Sequence, residues 1–358
     1  MPTKNDTKMK ILPKCQKRFD TKTNYLRPMK NSIVVFLFAL FIALFSVSCE
    51  KEIEIDLPAY EEQIVVQGSI EPGMPPVVIL TYSSGYFQPA DFNSIANSYV
   101  TDAIVTVSNG QNSVTLTQVC SSNLTTEQLQ LAETILGIPA AAISALNICL
   151  YTTFDPNMFG TPGTTYTLQV QKDNHSLQAV TKLNSTVPID SLWFASPNPE
   201  VNDTLGFIYG FMSDPDTLGN CYRWCTKRIS HYPQWAPDEN LRGMQKDLSF
   251  TFPLPSVYDD EFFNGLQFGF AYYRGETPFS DKFDDTGIED GYFKRGDTVV
   301  VRGSSIDYKV FRYFKTYEDQ MANQGSPFAL PSNIESNVNG GLGVWAAYAT
   351  YYDTLVCN

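Results

Sequence analysis

From residue 62 onward, apolar and polar side chains alternate in short runs broken by Gly, Pro, Asn and Asp. That period of two predicts β-strands joined by tight turns. EQIVVQGSI (62–70) and VVILTYS (77–83) are the first two strands, separated by the turn EPGMPP. AIVTVSNGQNSVTLTQV (103–119) predicts a hairpin. Ala103, Val105 and Val107 share one parity, Val114, Leu116 and Gln118 the other, and Asn109-Gly110 supplies a turn with easy positive φ. TTYTLQVQ (164–171) and SLQAVTKL (176–183) form a second hairpin around KDNH. Between them the period changes. TTEQLQLAETILGIPAAAISALN (125–147) has helical composition, and Pro139 divides it into two short helices. Short strands at this spacing over 61–187 predict an immunoglobulin-like β-sandwich with a helical insert at 125–147.

NSTVPIDSLWF marks a boundary near 185–190, and a second β-rich domain follows over 188–358. Its expected strands are GFIYGFM (206–212), CYRWCTKRI (221–229), SFTFPLP (249–255), LQFGFAYY (266–273) and DTVVVRGS (297–304). One long helix is expected near 305–322, where Ile306, Val310, Phe314, Tyr317 and Met321 recur every three or four residues. Ser304 or Ser305 offers its N-cap. NVNGGLGVWAAYATYYDTLV (337–356) reads as a Gly-rich turn and a closing strand. The fold class is therefore all-β with minor helix.

The N-terminal region follows another pattern. IVVFLFALFIALFSVS is an apolar stretch of signal-peptide length that stops at Cys49. Lys30 precedes it, and Ser46, Val47 and Ser48 give a small-residue border. This resembles a bacterial lipoprotein signal over 29–48, which implies lipid on Cys49; the alternative is a transmembrane anchor with an incidental cysteine. Residues 1–28 read as a mis-called extension before Met29. EKEIEID then opens an acidic tether over 49–60. It resembles the signal that sends Bacteroidetes lipoproteins to the outer face of the outer membrane, with a merely solvated tether as the alternative.

Charge narrows the partners. The chain carries 25 Lys/Arg and 38 Asp/Glu. The first 48 residues hold nine of the former and two of the latter, so 16 basic and 36 acidic side chains remain. Nucleic acid demands a basic footprint and is excluded as a partner. Beyond Cys49 the cysteines are Cys120, Cys149, Cys221, Cys225 and Cys357. An exported chain permits disulfides. Cys120 and Cys149 flank the insert and are expected to bridge, and one of Cys221 or Cys225 is paired with Cys357. A zinc site would need further close ligands, and only His175 and His231 exist.

The segments SCEKEIEIDLP, IVVQGSIEPGMPPVVILT, LNICLYT, VPIDSLWF, YDDEFFNG, RGDTVVV and GGLGVWAAY occur in that order. Together they resemble the Bacteroidetes lipoprotein family called domain of unknown function 4249, over nearly all of the chain after Cys49. The resemblance implies an outer-membrane lipoprotein beside a TonB-dependent receptor and brings no catalytic residues.

No nucleophile is signalled near His231, and neither a P-loop nor an HExxH motif is present. The expectation is a non-enzyme: an accessory or cargo-capturing partner of the receptor. A free-standing adhesion or structural lipoprotein and a surface glycan or peptide hydrolase stand as alternatives. No cofactor is expected, with one candidate for calcium: Asp281, Asp284, Asp285, Glu289 and Asp290 in DKFDDTGIEDG. That spacing misses the EF-hand template, so a solvated acidic loop is the competing reading. Tyr232, Trp235, Tyr272, Tyr273 and Phe279 are candidate binding aromatics. Ser191, Thr204, Thr217, Thr298 and Thr354 each follow Asp and precede Leu or Val, which resembles the O-glycosylation motif of Bacteroidetes exported proteins.

Overall fold

A computed structural model of the chain describes residues 61–85, 91–136, 139–236, 239–240, 242–275, 291–323 and 333–358. The acidic tether and Cys49 lie outside the described residues.

The alternating pattern produces strands that bury every second residue. Strand β1 (Ile64–Ile70) points Ile64, Val66 and Ile70 inward, and β2 (Val77–Tyr82) does the same with Val78 and Leu80. A short helix α1 (Phe92–Ala96) precedes the expected hairpin, β3 (Ile104–Ser108) and β4 (Ser113–Thr115). The return strand then breaks at Leu116, and β5 (Thr117–Cys120) joins a different sheet. Helices α2 (Thr126–Leu136) and α3 (Ala140–Leu146) form the insert, with Pro139 at the N-cap of α3. Thr125 and Gln128 close a reciprocal cap on α2: the Thr125 N–H donates to Gln128 Oε1 at 2.9 Å and the Gln128 N–H to Thr125 Oγ1 at 3.3 Å. Strands β6 (Cys149–Thr152), β7 (Thr165–Lys172) and β8 (His175–Lys182) follow. Cys120 and Cys149 stand opposite each other on β5 and β6 and are joined by a disulfide.

The second half supplies β9 (Ile189–Ala195), β10 (Leu205–Ser213), β11 (Cys221–Arg228), β12 (Val257–Asp259), β13 (Gln267–Tyr272), β14 (Phe293–Lys294) and β15 (Thr298–Ile306). Helix α4 (Tyr308–Ala322) comes next, then β16 (Val338–Asn339), β17 (Leu342–Ala347) and β18 (Ala349–Val356). The strand expected at 249–255 is only an isolated bridge, Thr226 to Thr251, because Pro253 and Pro255 cannot donate to a ladder. Helix α4 begins later than its expected serine caps. Ser304 and Ser305 are still paired in β15 with Thr350 and Ala349, and Asp307 caps the helix instead, accepting from the N–H groups of Lys309 and Val310. The other Asp307 oxygen accepts from the Thr181 hydroxyl and, at 3.2 Å, from the Lys182 N–H. One side chain thus starts α4 and ties it to β8.

Four sheets result. The first has the order β17-β1-β2-β6-β5 and the second β16-β8-β7-β3-β4. They share one core that includes Val66, Leu80, Val107, Leu168, Leu177 and Trp345. The third sheet is β12-β11-β15-β18, and the fourth joins β13, β10 and β14 with β9 on β10. Trp224, Val299, Val301, Ile208 and Phe293 form the core between these two. A further core lies on the opposite face of the third sheet: Cys221, Val257 and Ile306 meet Val310, Phe311 and Phe314 of α4 and Val344 and Ala346 of β17. Helix α4 is thereby wedged between the first and third sheets.

The closing segment is two strands, not one. β17 pairs in parallel with β1, and β18 pairs antiparallel with β15. Tyr348 lies between them, its N–H donating to Ile70 O at 2.9 Å. The boundary expected near 185–190 is therefore crossed by the C-terminal strands, and residues Tyr60–Asn358 group as one compact unit. Trp345 fixes the crossing. It is fully buried in the first core, and its Nε1–H donates to Tyr166 O at 3.1 Å. Its ring lies so close over Gly68 that a Cβ there would sit 2.5 Å from it. Glycine is what lets the ring rest on β1.

Candidate functional site

Helix α4 fills only part of the space between the first and third sheets. The remainder is a cleft of about 630 Å³, within the usual range for small-molecule sites. One wall is the outer face of β1 and β2, with Gln67, Ser69, Val77 and Ile79. These positions alternate with the residues buried in the first core, so the strand period itself presents them. The opposite wall is a stripe of α4, Tyr313, Tyr317 and Met321, one step around the helix from the buried Val310, Phe314 and Glu318. Phe252, Leu254 and Tyr348 complete the apolar lining.

Two arginines of the third sheet enter this cleft. Arg223 of β11 and Arg302 of β15 sit on the face opposite Trp224 and Val301. The Arg223 guanidinium lies 3.4 Å from the Phe314 ring centre and 3.9 Å from that of Phe252, so both of its planes are covered. Such cation–π contacts offset part of the desolvation of a buried charge. Arg223 Nε donates to Ser256 Oγ at 3.3 Å and Nη1 to Tyr348 Oη at 3.2 Å. Arg302 Nη2 donates to Glu71 Oε1 at 2.6 Å, while its Nε is buried without a hydrogen-bond acceptor among the described residues. Burial opposes the Arg302 charge, but the acidic groups around it, Cys225 and Glu71 first, hold it protonated beyond its ordinary range. Glu71 Oε2 also accepts from Thr350 Oγ1 at 3.2 Å and from Tyr352 Oη at 3.3 Å. Glu318 is buried and accepts from both the N–H (2.8 Å) and the hydroxyl of Ser256. Aromatic walls with a few convergent polar groups can orient a small organic ligand. The described residues show no nucleophile with its base, and among them no group of three or more His, Cys, Asp or Glu is placed to hold a metal ion.

Residues 50–353 match the family model described as Domain of unknown function (DUF4249). The chain belongs to this family. No curated protein and no solved structure matches it.

Of the candidate binding aromatics in this DUF4249 chain that lie among the described residues, none lines the cleft. Tyr232 is buried, and Tyr272 is half-buried and stacks on Trp224 at 4.6 Å against a core. Trp235 is 81% exposed. Tyr273 is spent on the backbone of Leu254, donating to its carbonyl and accepting from its N–H. Phe279 and the acidic candidates Asp281, Asp284, Asp285, Glu289 and Asp290 lie outside the described residues. Ser191, Thr204, Thr217 and Thr354 are exposed, and Thr298 is half-buried at the start of β15.

The expected link to Cys357 is absent: Cys221, Cys225 and Cys357 are free, buried thiols. β15 separates β11 from β18, about 10 Å over two strand spacings and beyond the reach of a disulfide. Cys357 also packs on the Trp224 face, whereas Cys221 and Cys225 point to the other. Burial pushes the thiols up to about 12, 11 and 12 respectively, which makes them poor nucleophiles.

The cleft arginines carried a signal in the sequence. Arg302 is the lone charge in the strand TVVVRGSSI, and Arg223 in CYRWC is flanked by aromatic and cysteine side chains. A charge buried at such a position needs partners, and those partners mark a site.

Proposed function

We propose that this DUF4249 protein is a lipid-anchored lipoprotein of the outer-membrane surface that captures a small ligand in the cleft between its first and third sheets. It serves as the accessory, cargo-capturing partner of a TonB-dependent receptor. The observation that carries the reading is the cleft itself: an aromatic α4 wall facing the mixed β1–β2 wall, with two arginines at its polar end. A binding module needs shape and a few fixed polar contacts, and that is the chemistry present. The lipid anchor rests on the Ser46-Val47-Ser48-Cys49 border after the apolar run. The partnership rests on the family resemblance. The first and second sheets are read as an immunoglobulin-like sandwich completed by a strand from the C-terminal segment.

Two measurements test this. The protein, isolated in mild detergent from the membranes of its native host, is expected to bring a large outer-membrane β-barrel receptor with it. Recovery alone, with no receptor after cross-linking, would favour a free-standing lipoprotein. Cys49→Ala is expected to leave the protein unprocessed or released from the membrane. Unmodified Cys49 in membrane-bound protein, read by mass spectrometry, would remove the anchor.

A further inference from the structure

The two cleft arginines are not equivalent. Arg302 has a carboxylate at 2.6 Å in Glu71. Arg223 has no ion pair among the described residues; its partners there are two hydroxyls, Ser256 Oγ and Tyr348 Oη. The nearby acid Glu318 is held behind Ser256, accepting from the serine's N–H and hydroxyl. Phe252 and Phe314 cover both planes of the Arg223 guanidinium, so only its edge is open, and Nη2 makes no hydrogen bond among the described residues. An edge-on guanidinium locked between two rings is preorganised for the planar fork of a carboxylate.

We infer that the cleft takes a small organic carboxylate, its acid group on the edge of Arg223 and its apolar body between the β1–β2 wall and Tyr313, Tyr317 and Met321. The inference rests on the cleft being the ligand site. A dianionic phosphate suits it less well, because Glu71 and Glu318 border the same space and repel a second negative charge. The chain's formal charge of −13 disfavours anions at long range, but that field is screened beyond about 8 Å at physiological salt. Contact pairing with Arg223 therefore decides selectivity.

The test uses the mature full-length protein and four acids: phenylacetate, 4-phenylbutyrate, hexanoate and indole-3-acetate. Each is titrated beside its primary amide, up to about 10 mM, with binding read by ligand-observed NMR. At least one acid is expected to bind, with its amide weaker by about tenfold or more. Arg223→Gln should abolish that difference. Tyr348→Phe, which removes only a brace on Nη1, should reduce it and serves if Arg223→Gln does not fold. Gln67→Trp, which fills the cleft from the exposed face of β1, should abolish binding of acid and amide alike. Equal binding of acids and amides, with loss in Gln67→Trp, would overturn the carboxylate and leave the cleft standing. Acid-selective binding unchanged in Gln67→Trp would overturn the cleft as the site. No acid-selective binding across the panel overturns the inference.

Discussion

The contact between Trp345 and Gly68 offers the sharpest test of how the two ends of the chain are joined. A Cβ at position 68 would stand 2.5 Å from the Trp345 ring. Ordinary contacts are about 3.5–4.0 Å, so Gly68→Ala forces the fully buried ring to move by about an ångström. Overpacking of this kind costs about 1–3 kcal/mol. Trp345→Leu instead removes ring volume and the Nε1–H donor to Tyr166 O, with a loss of about 2–4 kcal/mol. In the double variant the alanine methyl enters the space the ring has left. The two losses should then be less than additive, with a coupling of about 1–2 kcal/mol. Urea unfolding of the four proteins, with m-values unchanged, measures each difference. Additivity within about 0.5 kcal/mol would mean that the ring does not press on β1 and that β17 is not packed there as described.

Other outcomes follow from the same structure. Replacing Cys120 and Cys149 together by serine should lower stability by about 3–4 kcal/mol, from the loop entropy of a 29-residue separation, measured by urea unfolding against oxidised wild type. Stability should fall as pH rises from about 9 to 11. Desolvation pushes the Cys225 thiol up to about 11 in the folded protein against 9 ordinarily, and the partly buried Tyr258 and Tyr272 are also pushed up. The protonated forms that folding favours are fully present below pH 9 and are lost through that window. Cys225→Val should flatten the slope, and unfolding curves that are unchanged between pH 9 and 11 would contradict the burial of these groups. If Thr204 and Thr217 carry glycan, intact protein from the native host will show hexose increments that are reduced or lost in the Thr204→Val, Thr217→Val pair. A mass equal to the lipidated polypeptide removes that idea.

The sequence revealed what local period determines. The clean alternation over 164–171 and 176–183 became β7 and β8, and Asn109-Gly110 turned β3 into β4. The change of period at Thr125 and the break at Pro139 gave α2 and α3. What local period does not encode is which strand a segment joins. β5 follows β4 after one residue yet pairs with β6 in the opposite sheet, and the reason is the Cys149 segment returning 29 residues after Cys120. Likewise GLGVWAAY is an ordinary apolar strand until Gly68 is known to leave room for Trp345. The cleft was hidden for the same reason. Its residues come from β1 and Glu71 after it, β2, β11, the 250–256 segment, β15, α4, β17 and Tyr348, and only the packing of two sheets around a helix gathers them. Tyr232 misled because an aromatic in a loop-like stretch carries no mark of whether it ends inside or outside, and Tyr272 because the pattern of its strand does not say which face meets a core.

The binding role of the cleft is tested most directly by native mass spectrometry of the protein purified from its own host, wild type beside Gln67→Trp. The expected result is a small-molecule adduct on the wild type that is missing from the variant, with both proteins equally folded by circular dichroism. An adduct of the same mass on both, or none on either, would contradict ligand capture between the first sheet and α4.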